Sequence, residues 1–429
     1  MKKKYHLTVT LLLFCFCGIS YAENKLILLK DRPDKNSEYT SVLCFRINEI
    51  DNGCKTHGGD PSYLLQYFDG PVLNYVQVPY HGKKKYNNFY NDDMVYLAAK
   101  PGKYDFWKLS HRLYAGGAMY VGGATINILY SFPLNTVIEL KAGKAYYVGE
   151  VTINEDNTLK YTWSFKQNKI NDTIVHDFEK QYPNTFSAYK NDFVQATFSL
   201  PTPFQPINVV FSSHFAKSEV KWNEANDSLH TALYENGQFC IESKSIYNMG
   251  AEIIELPEKI TNTTFDIELR CNWKNGVNSN AFGLIIPGQF SDTKCRKDEL
   301  EPRGYIFGIS SNGFAGIWYE FKNALGKGYY TLTDWKNMIS IKTNSSGQNT
   351  IRVQVIDNVI TYYVNDMFVS RALYNKFNAT EGGLIINEKL DMNNFKDVPL
   401  LDKTFKHLGI FSYNKQKIEF DEIKVSKFE

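Results

Sequence analysis

The sequence has almost no net charge. Its 429 residues include 48 Lys and Arg against 46 Asp and Glu, a formal charge of +2. Lys2, Lys3 and Lys4 lie in an N-terminal stretch that we expect to be removed, and without them 45 basic residues stand against 46 acidic ones, a net charge of −1. Charge-driven binding to nucleic acid or to an anionic membrane needs a basic surplus. The composition therefore gives no electrostatic case for either partner.

Familiar catalytic and cofactor motifs are also missing. The sequence contains no Gly-x-Ser-x-Gly elbow, no His-Glu-x-x-His and no phosphate-binding loop. The glycine-rich stretch Gly116–Gly123 lies between strand-like segments and no helix follows it, which favours hairpin glycines over a dinucleotide loop. Cys54 and His57 form the only close Cys/His pair, too few ligands for zinc. We predict no cofactor and no metal site.

Long apolar runs are confined to the N-terminus. Leu7–Ile19 is apolar, follows the lysines at 2–4 and precedes Ser20-Tyr21-Ala22, with small residues where a signal peptidase needs them. This arrangement predicts a signal peptide over residues 1–22 with cleavage before Glu23. No later segment approaches the roughly 20 apolar residues of a membrane helix. We therefore expect an exported protein that lies in the periplasm, lies on the outer cell surface or is secreted. We expect no transmembrane segment after cleavage.

A cleaved signal peptide has two alternatives. An uncleaved membrane anchor is disfavoured because the apolar run is short and no stop-transfer pattern follows it. Lipidation at Cys15 or Cys17 is disfavoured because the bulky Phe14 and Phe16 precede these cysteines.

Cysteine is scarce, and two of the seven cysteines would leave with the signal peptide. Five cysteines in an oxidising compartment permit two disulfides and leave one thiol over. Each bridge would contribute about 2–3 kcal/mol. Proximity along the chain favours the hypothesis of bridges Cys44–Cys54 and Cys271–Cys295, with Cys240 as the buried odd thiol.

Proline is concentrated at one internal position that divides the chain. Pro201, Pro203 and Pro206 fall within six residues, a spacing that suits an extended linker and no regular element. About 407 mature residues exceed one ordinary domain. We predict an N-terminal domain over 23–200, a linker over 201–206 and a C-terminal domain over 207–429.

What the sequence has in abundance is strand patterning. Asn349–Val369 predicts a three-stranded β-meander, with apolar residues at every second position and two-residue turns at Asp357-Asn358 and Asn365-Asp366. Similar alternation recurs through the C-terminal part. Its further predicted strands are Phe265–Trp273, Ala281–Ile286, Tyr305–Ser310, Phe314–Tyr319, His407–Ser412 and Ile418–Val425.

The N-terminal part also reads mainly as strands. One helix is predicted over Asp172–Tyr182, capped by Asp172 and ended by Pro183. Within Met94–Ile153, a Pro-Gly-Lys-Tyr hairpin followed by a Gly-Lys-x-Tyr-Tyr-x-Gly strand resembles a prealbumin-like β-sandwich domain of exported bacterial proteins. The predicted strands of this part are Ser41–Ile47, Met94–Ala99, Tyr104–Leu109, Thr136–Leu140 and Ala145–Ile153.

The C-terminal motifs, in their order, resemble the concanavalin A-like, laminin-G-like family. The resemblance implies a jelly roll and a role in binding carbohydrate or protein. The whole chain is thus predicted to be all-β: two β-sandwich domains, the second a jelly roll, with one short helix before the linker. The matching stretches are Ala281–Ile285, Tyr305–Gly313, Ile317, Trp335, Asn349–Val353, Asp357–Asn365, Leu408–Phe411 and Phe420–Val425.

Glycan hydrolases of this family carry a Glu-x-Asp-x-x-Glu pattern with carboxyls about 5.5 Å apart. In this chain Lys424 stands where the second glutamate of Glu419-Phe420-Asp421-Glu422-Ile423-Lys424 would be. We therefore favour a binding protein without catalysis, with a glycan-active hydrolase or a structural envelope component as alternatives.

Aromatic residues make up 15% of the chain and supply the candidate binding surface. Sugar C–H faces stack on aromatic rings. A cluster of aromatic residues surrounds the segment 320–332, and Trp335 is expected to lie in the core at the tryptophan position of the family. The predicted glycan- or protein-binding residues are Trp318, Tyr319, Tyr329 and Tyr330.

Overall fold

A computed structural model describes most of the chain. The predicted signal peptide, Cys54, Cys295 and the glycine stretch at 116–123 lie outside the described residues. Among the described residues, no helix is long and apolar enough to cross a membrane. The described residues are 25–29, 38–51, 62–79, 83–85, 88–115, 126–155, 161–215, 222–244, 249–260, 264–287, 304–323, 326–357, 359–373, 383–385 and 405–428.

The first half of the chain forms two sheets with a shared apolar core. Sheet A has the order β1-β6-β2-β9-β10, with β5 beside β6 and β11 beside β9, and sheet B has the order β12-β8-β7-β3-β4. Inward-facing residues of both sheets form one buried cluster, which makes a β-sandwich. The strands are β1 (Leu26–Leu28), β2 (Ser41–Asp51), β3 (Ser62–Asp69), β4 (Val72–Pro79), β5 (Lys83–Lys85), β6 (Asn88–Ala99), β7 (Gly102–Ala115), β8 (Ile126–Leu140), β9 (Ala145–Glu155), β10 (Tyr161–Lys166), β11 (Phe193–Gln195) and β12 (Phe198–Ser199).

The second half forms another two-sheet sandwich. Sheet C has the order β14-β15-β16-β28-β18-β23-β24-β25 with β13 beside β28, and sheet D has the order β17-β27-β19-β20-β21-β22. The strands are β13 (Asn208–Ser213), β14 (Ala225–Asn226), β15 (His230–Glu235), β16 (Gln238–Ser243), β17 (Met249–Ile260), β18 (Phe265–Gly276), β19 (Ala281–Pro287), β20 (Gly304–Ser310), β21 (Phe314–Asn323), β22 (Gly326–Asn337), β23 (Asn349–Ile356), β24 (Val359–Val364), β25 (Met367–Leu373), β26 (Gly383–Ile385), β27 (Phe405–Tyr413) and β28 (Gln416–Lys427).

The all-β prediction, with two sandwiches, is confirmed. One short strand departs from the division between the halves: β26 pairs in parallel with β8 and so joins sheet B. The predicted linker at 201–206 lies between the strands of the two sandwiches and contains no regular element. The division into two separate domains at this linker stays a prediction.

The helical segment is longer than predicted and consists of two helices, α1 (Asp172–Gln181) and α2 (Pro183–Tyr189). Asn171, not Asp172, caps α1, because its side chain accepts the Ile174 amide at 3.1 Å. Pro183 starts α2 instead of ending the helical segment, since proline fits the first turn of a helix. The buried face of α1 packs on sheet A, where Phe178 stacks on Tyr96.

The meander at 349–369 forms β23, β24 and β25, and its predicted turn at Asn365-Asp366 is confirmed, while Asn358 of the other predicted turn lies outside the described residues. Asn365 and Asp366 have φ values of 51° and 62°, the left-handed pair that a two-residue hairpin turn needs. The meander lies at the end of sheet C. Every residue of β24 is buried. The outer face is covered because the first sandwich packs there: Phe68 and Trp107 share an apolar cluster with Ile356 and Val359.

Candidate functional site

The outer face of sheet D carries a second apolar surface, separate from the core. Because side chains alternate along a strand, the neighbours of core residues on β19, β20 and β27 point away from the sandwich interior. Three of these outward residues, Ile285, Ile306 and Phe411, are fully buried in a cluster that also includes the half-buried Trp318 and Tyr413. This part of the outer face is therefore apolar and closed to solvent.

Two tryptophans form the accessible part of this face. The rings of Trp318 on β21 and Trp335 on β22 have centroids 5.5 Å apart and planes inclined by 36°. Trp318 also meets Phe411 edge to face, with centroids 6.1 Å apart. Trp335 is 44% exposed. We call Trp318 and Trp335 the tryptophan platform.

Two glycines form the floor beneath the platform. Gly308 on β20 lies directly opposite Gly316 on β21. A Cβ at Gly308 would meet Cη2 of Trp318 at 2.6 Å, and one at Gly316 would meet Cδ2 of Trp335 at 3.4 Å. The absence of side chains at both positions lets the indole rings lie close against the backbone of the sheet.

A break in strand register places Trp335 near Trp318. Ile317 pairs with Thr333 while Ala315 pairs with Lys336, and a second shift follows between Ile317 and Trp318. The Thr333 hydroxyl accepts the Ile317 amide at 3.0 Å. Bulges of this kind redirect side chains at functional edges of sheets. The register shift explains why the expected core position of Trp335 is wrong.

Of the four predicted binding residues, the structure describes the side chain of Trp318 alone. The backbone pairs Tyr319 with Tyr330 and Glu320 with Tyr329 in the β21–β22 hairpin, on the strands that carry the platform. The side chains of Tyr319, Tyr329 and Tyr330 lie outside the described part of the structure, and their role stays a prediction. Trp335, which the family pattern places in the core, is instead the exposed aromatic residue of this pair.

The acidic residues of the segment 419–424 form ion pairs and hydrogen bonds with neighbouring side chains. Glu419 lies 2.6 Å from Lys274, and the buried Glu422 lies 2.8 Å from Arg270 and 2.6 Å from Lys424. Asp421 accepts the Gln348 side-chain amide at 2.6 Å. Within the described ranges, no group of three or more His, Cys, Asp or Glu side chains could hold a metal ion.

A histidine held between two carboxylates was not found from the sequence. Nε2 of His230 on β15 lies 2.9 Å from Glu252 on β17, and Nδ1 lies 3.5 Å from Asp227. The hydrogen bond to Glu252 raises the pKa of His230. Gly250 permits this approach, since a Cβ there would meet His230 Cβ at 2.6 Å. The pair joins sheet C to sheet D, and its partners are 22 positions apart in the sequence, too far for a local pattern to reveal the contact.

The structure describes three of the cysteines, all as buried thiols: Cys44, Cys240 and Cys271. Burial raises the pKa of Cys240 to about 12 and raises the pKa of Cys44 and Cys271 as well. The expected partners Cys54 and Cys295 lie outside the described residues. The bridges Cys44–Cys54 and Cys271–Cys295 therefore stay predictions.

Comparisons with known proteins give distant structural likenesses. No family model and no curated protein matches the sequence. A protein of unknown function with a galectin-like fold from Bacillus subtilis is 11% identical over 52% of this chain and 97% of its own, with a TM-score of 0.34. Beta-agarase B from Zobellia galactanivorans is 13% identical over 50% of this chain and 91% of its own, with a TM-score of 0.34.

A third likeness is to the carbohydrate-binding module CBM66 from Bacillus subtilis, 12% identical over 48% of this chain and 95% of its own, with a TM-score of 0.29. At these identities and TM-scores, the likenesses carry no conclusion about the function of this chain. The resemblance of the first half to prealbumin-like domains also stays a prediction.

Proposed function

We propose that this protein binds carbohydrate on the outer face of sheet D and that the tryptophan platform is the contact surface. The observation that carries the proposal is the 44% exposure of Trp335, whose ring pairs with Trp318 at 5.5 Å. The apolar face of a sugar ring stacks on an indole, and its hydroxyls bond at the edges. A tryptophan held by a second tryptophan loses little freedom on binding, which favours affinity.

The geometry of the floor supports a flat ligand. The paired glycines Gly308 and Gly316 keep the indoles against the sheet. A flat polycyclic or sugar-ring surface fits such a platform better than an extended peptide, which would bind by main-chain hydrogen bonds at a sheet edge.

A glycan array with the mature chain tests the proposal. We expect binding to at least one glycan class, and we expect Trp335→Ala to weaken it by about tenfold or more, since buried tryptophan contacts dominate binding energies. Tyr75→Ala is the matched control, because Tyr75 is an aromatic residue of the first sandwich that is 63% exposed. Equal binding by both variants, or an empty array, would contradict the proposal.

We also propose that the protein is exported and not catalytic. The ion pairs of Glu419 and Glu422 with Lys274 and Arg270 support the second part, since these carboxylates are engaged by cations. A reducing-end assay on every glycan that binds should detect no cleavage. N-terminal sequencing of the protein from its native host should begin at Glu23, and a mature chain that still contains Leu7–Ile19 would contradict export by a cleaved signal peptide.

A further inference from the structure

The first sandwich contains an apolar cavity far from the tryptophan platform. Its volume is about 580 Å³. Sheet A contributes Phe45 and Val151 to its walls, and sheet B contributes Leu65 and Leu109. Protein interiors are close-packed and rarely leave voids larger than a water molecule. A space of this size between two sheets therefore needs an explanation in the strands that surround it.

A β-bulge in each sheet borders the cavity. In sheet A, Phe45 of β2 lies opposite two residues of β9, Val148 and Gly149. In sheet B, Trp107 of β7 lies opposite two residues of β8, Leu134 and Asn135. A bulge bends its strand and redirects its side chains, and bulges concentrate next to functional sites. We attribute the gap between sheet A and sheet B at the cavity to these two bulges.

The bulge in sheet A depends on a glycine. Gly149 has a φ of +142°, and a Cβ there would meet the Lys166 carbonyl oxygen at 2.6 Å. No other residue fits this position without moving β10, so the backbone is specialised for the bulge. Val148 precedes Gly149, and Phe165 precedes Lys166. Both of these neighbours line the cavity.

The bulge in sheet B also gives the cavity a polar wall residue. Asn135 lines the cavity and has a φ of +46°. Its Oδ1 is buried and has no hydrogen-bond partner among the residues that the structure describes. A buried polar atom left unpaired costs free energy, and native proteins rarely tolerate one without a reason. Because this oxygen has almost no accessible surface, it does not contact the cavity space and is not an anchor for a ligand.

The chemistry of the walls defines the ligand class. None of the described lining residues carries a charge, and the polar ones are Asn135, Thr136 and Ser164. A carboxylate or phosphate inside would lose its hydration without a counter-charge. Leu200, which lines the cavity, is 54% exposed and marks an apolar entrance.

We propose that this cavity binds one uncharged amphiphile whose alkyl chain lies between the sheets. The volume lies within the range of small-molecule pockets, about 300–1,000 Å³. The site belongs to the first sandwich and is independent of the tryptophan platform, so either can fail without the other.

Fluorescence titration of the mature chain with the neutral probe N-phenyl-1-naphthylamine tests the proposal. We expect saturable binding of one probe per chain that 1-dodecanol displaces and that dodecanoate displaces at least tenfold less effectively. Val148→Trp should fill the cavity and weaken probe binding at least tenfold. The matched control Val209→Trp changes a valine of the second sandwich that is 58% exposed, and it should bind as the wild type does.

A second variant keeps the test decisive if Val148→Trp does not fold. Leu200→Glu places a charge at an exposed position of the entrance and should weaken probe binding several-fold while the near-ultraviolet circular dichroism stays unchanged. Binding that is absent in the wild type, or that is equal in the wild type, Val148→Trp and Leu200→Glu, would overturn the proposal.

Discussion

Arg371 of the second sandwich and Asp105 of the first form a buried, two-pronged ion pair. The guanidinium donates hydrogen bonds of 2.8 Å and 2.5 Å to the two carboxylate oxygens, and the side chains are 1% and 7% exposed. The guanidinium also lies 4.8 Å from the centre of the Phe68 ring. Such a pair needs a fixed geometry, so the sandwiches meet through a specific contact and not only through the linker.

Arg371→Met should destabilise the protein by about 3–5 kcal/mol, because it leaves the carboxylate of Asp105 buried without its cation. Lys25→Met is the control: Lys25 pairs with Asp69 at 2.7 Å, but both side chains are partly exposed, so the loss should stay below about 1 kcal/mol. Urea denaturation measures both values. The double variant Arg371→Met, Asp105→Leu should recover most of the stability. Equal losses for the two single variants would contradict a buried pair between the sandwiches.

The pair of His230 with Glu252 predicts a pH-dependent stability. The pKa of His230 is raised in the folded protein, so the charged imidazole stabilises the fold below its ordinary pKa of 6.5, and this contribution is lost as pH rises through the raised value. His230→Gln should therefore cost about 1–2 kcal/mol at pH 5.5 and progressively less at higher pH. Asp227 and Lys244 also face the ring, with opposite effects on its charge.

Denaturation curves at several pH values between 5.5 and 9 test this prediction. His176→Gln is the control, because His176 is an exposed residue of α1 and its replacement should change stability by less than about 0.5 kcal/mol. A cost of His230→Gln that grows with rising pH would contradict the assigned direction.

Gly308 and Gly316 provide a matched test of the floor beneath the platform. Gly308→Ala should cost about 1–3 kcal/mol and weaken glycan binding, because the new Cβ would lie 2.6 Å from the Trp318 ring and force it to move. Gly316→Ala should cost less than about 1 kcal/mol, since its nearest contact is 3.4 Å. Thermal unfolding and affinity measurements compare the two. A larger effect at Gly316 would show that the indoles do not lie as described.

Local features of the fold could be predicted from the sequence because neighbouring residues determine them. The turn at Asn365-Asp366 follows from the tolerance of Asn and Asp for positive φ, and the alternation on both sides follows from the pleat. The same alternation could not reveal that Arg352, Gln354 and Tyr363 are buried. A polar residue that faces water and a polar residue that faces a second sandwich give the same sequence pattern. The Phe204 backbone amide, which donates a hydrogen bond to the Gln354 side chain, is 150 positions away in the sequence.

The candidate site was predictable only in part for a related reason. Trp318 could be placed on a strand with its face undecided, and Trp335 was assigned to the core by its position in a family pattern. The register shift at Ile317, which exposes Trp335, depends on how β21 pairs with β22. The bulges at Asn135 and Gly149 could not be predicted from the sequence for the same reason. A bulge depends on how two strands pair, and the sequence of one strand does not show that pairing.

Fluorine NMR of protein labelled with 5-fluorotryptophan tests the central claim most directly. The chain has six tryptophans, so six signals are expected, and Trp335→Phe and Trp318→Phe assign the two of the platform. Titration with the glycan that binds most strongly on the array should shift the Trp335 and Trp318 signals and leave those of Trp107 and Trp222 unchanged. Saturable glycan binding with the Trp335 signal unmoved would contradict the account.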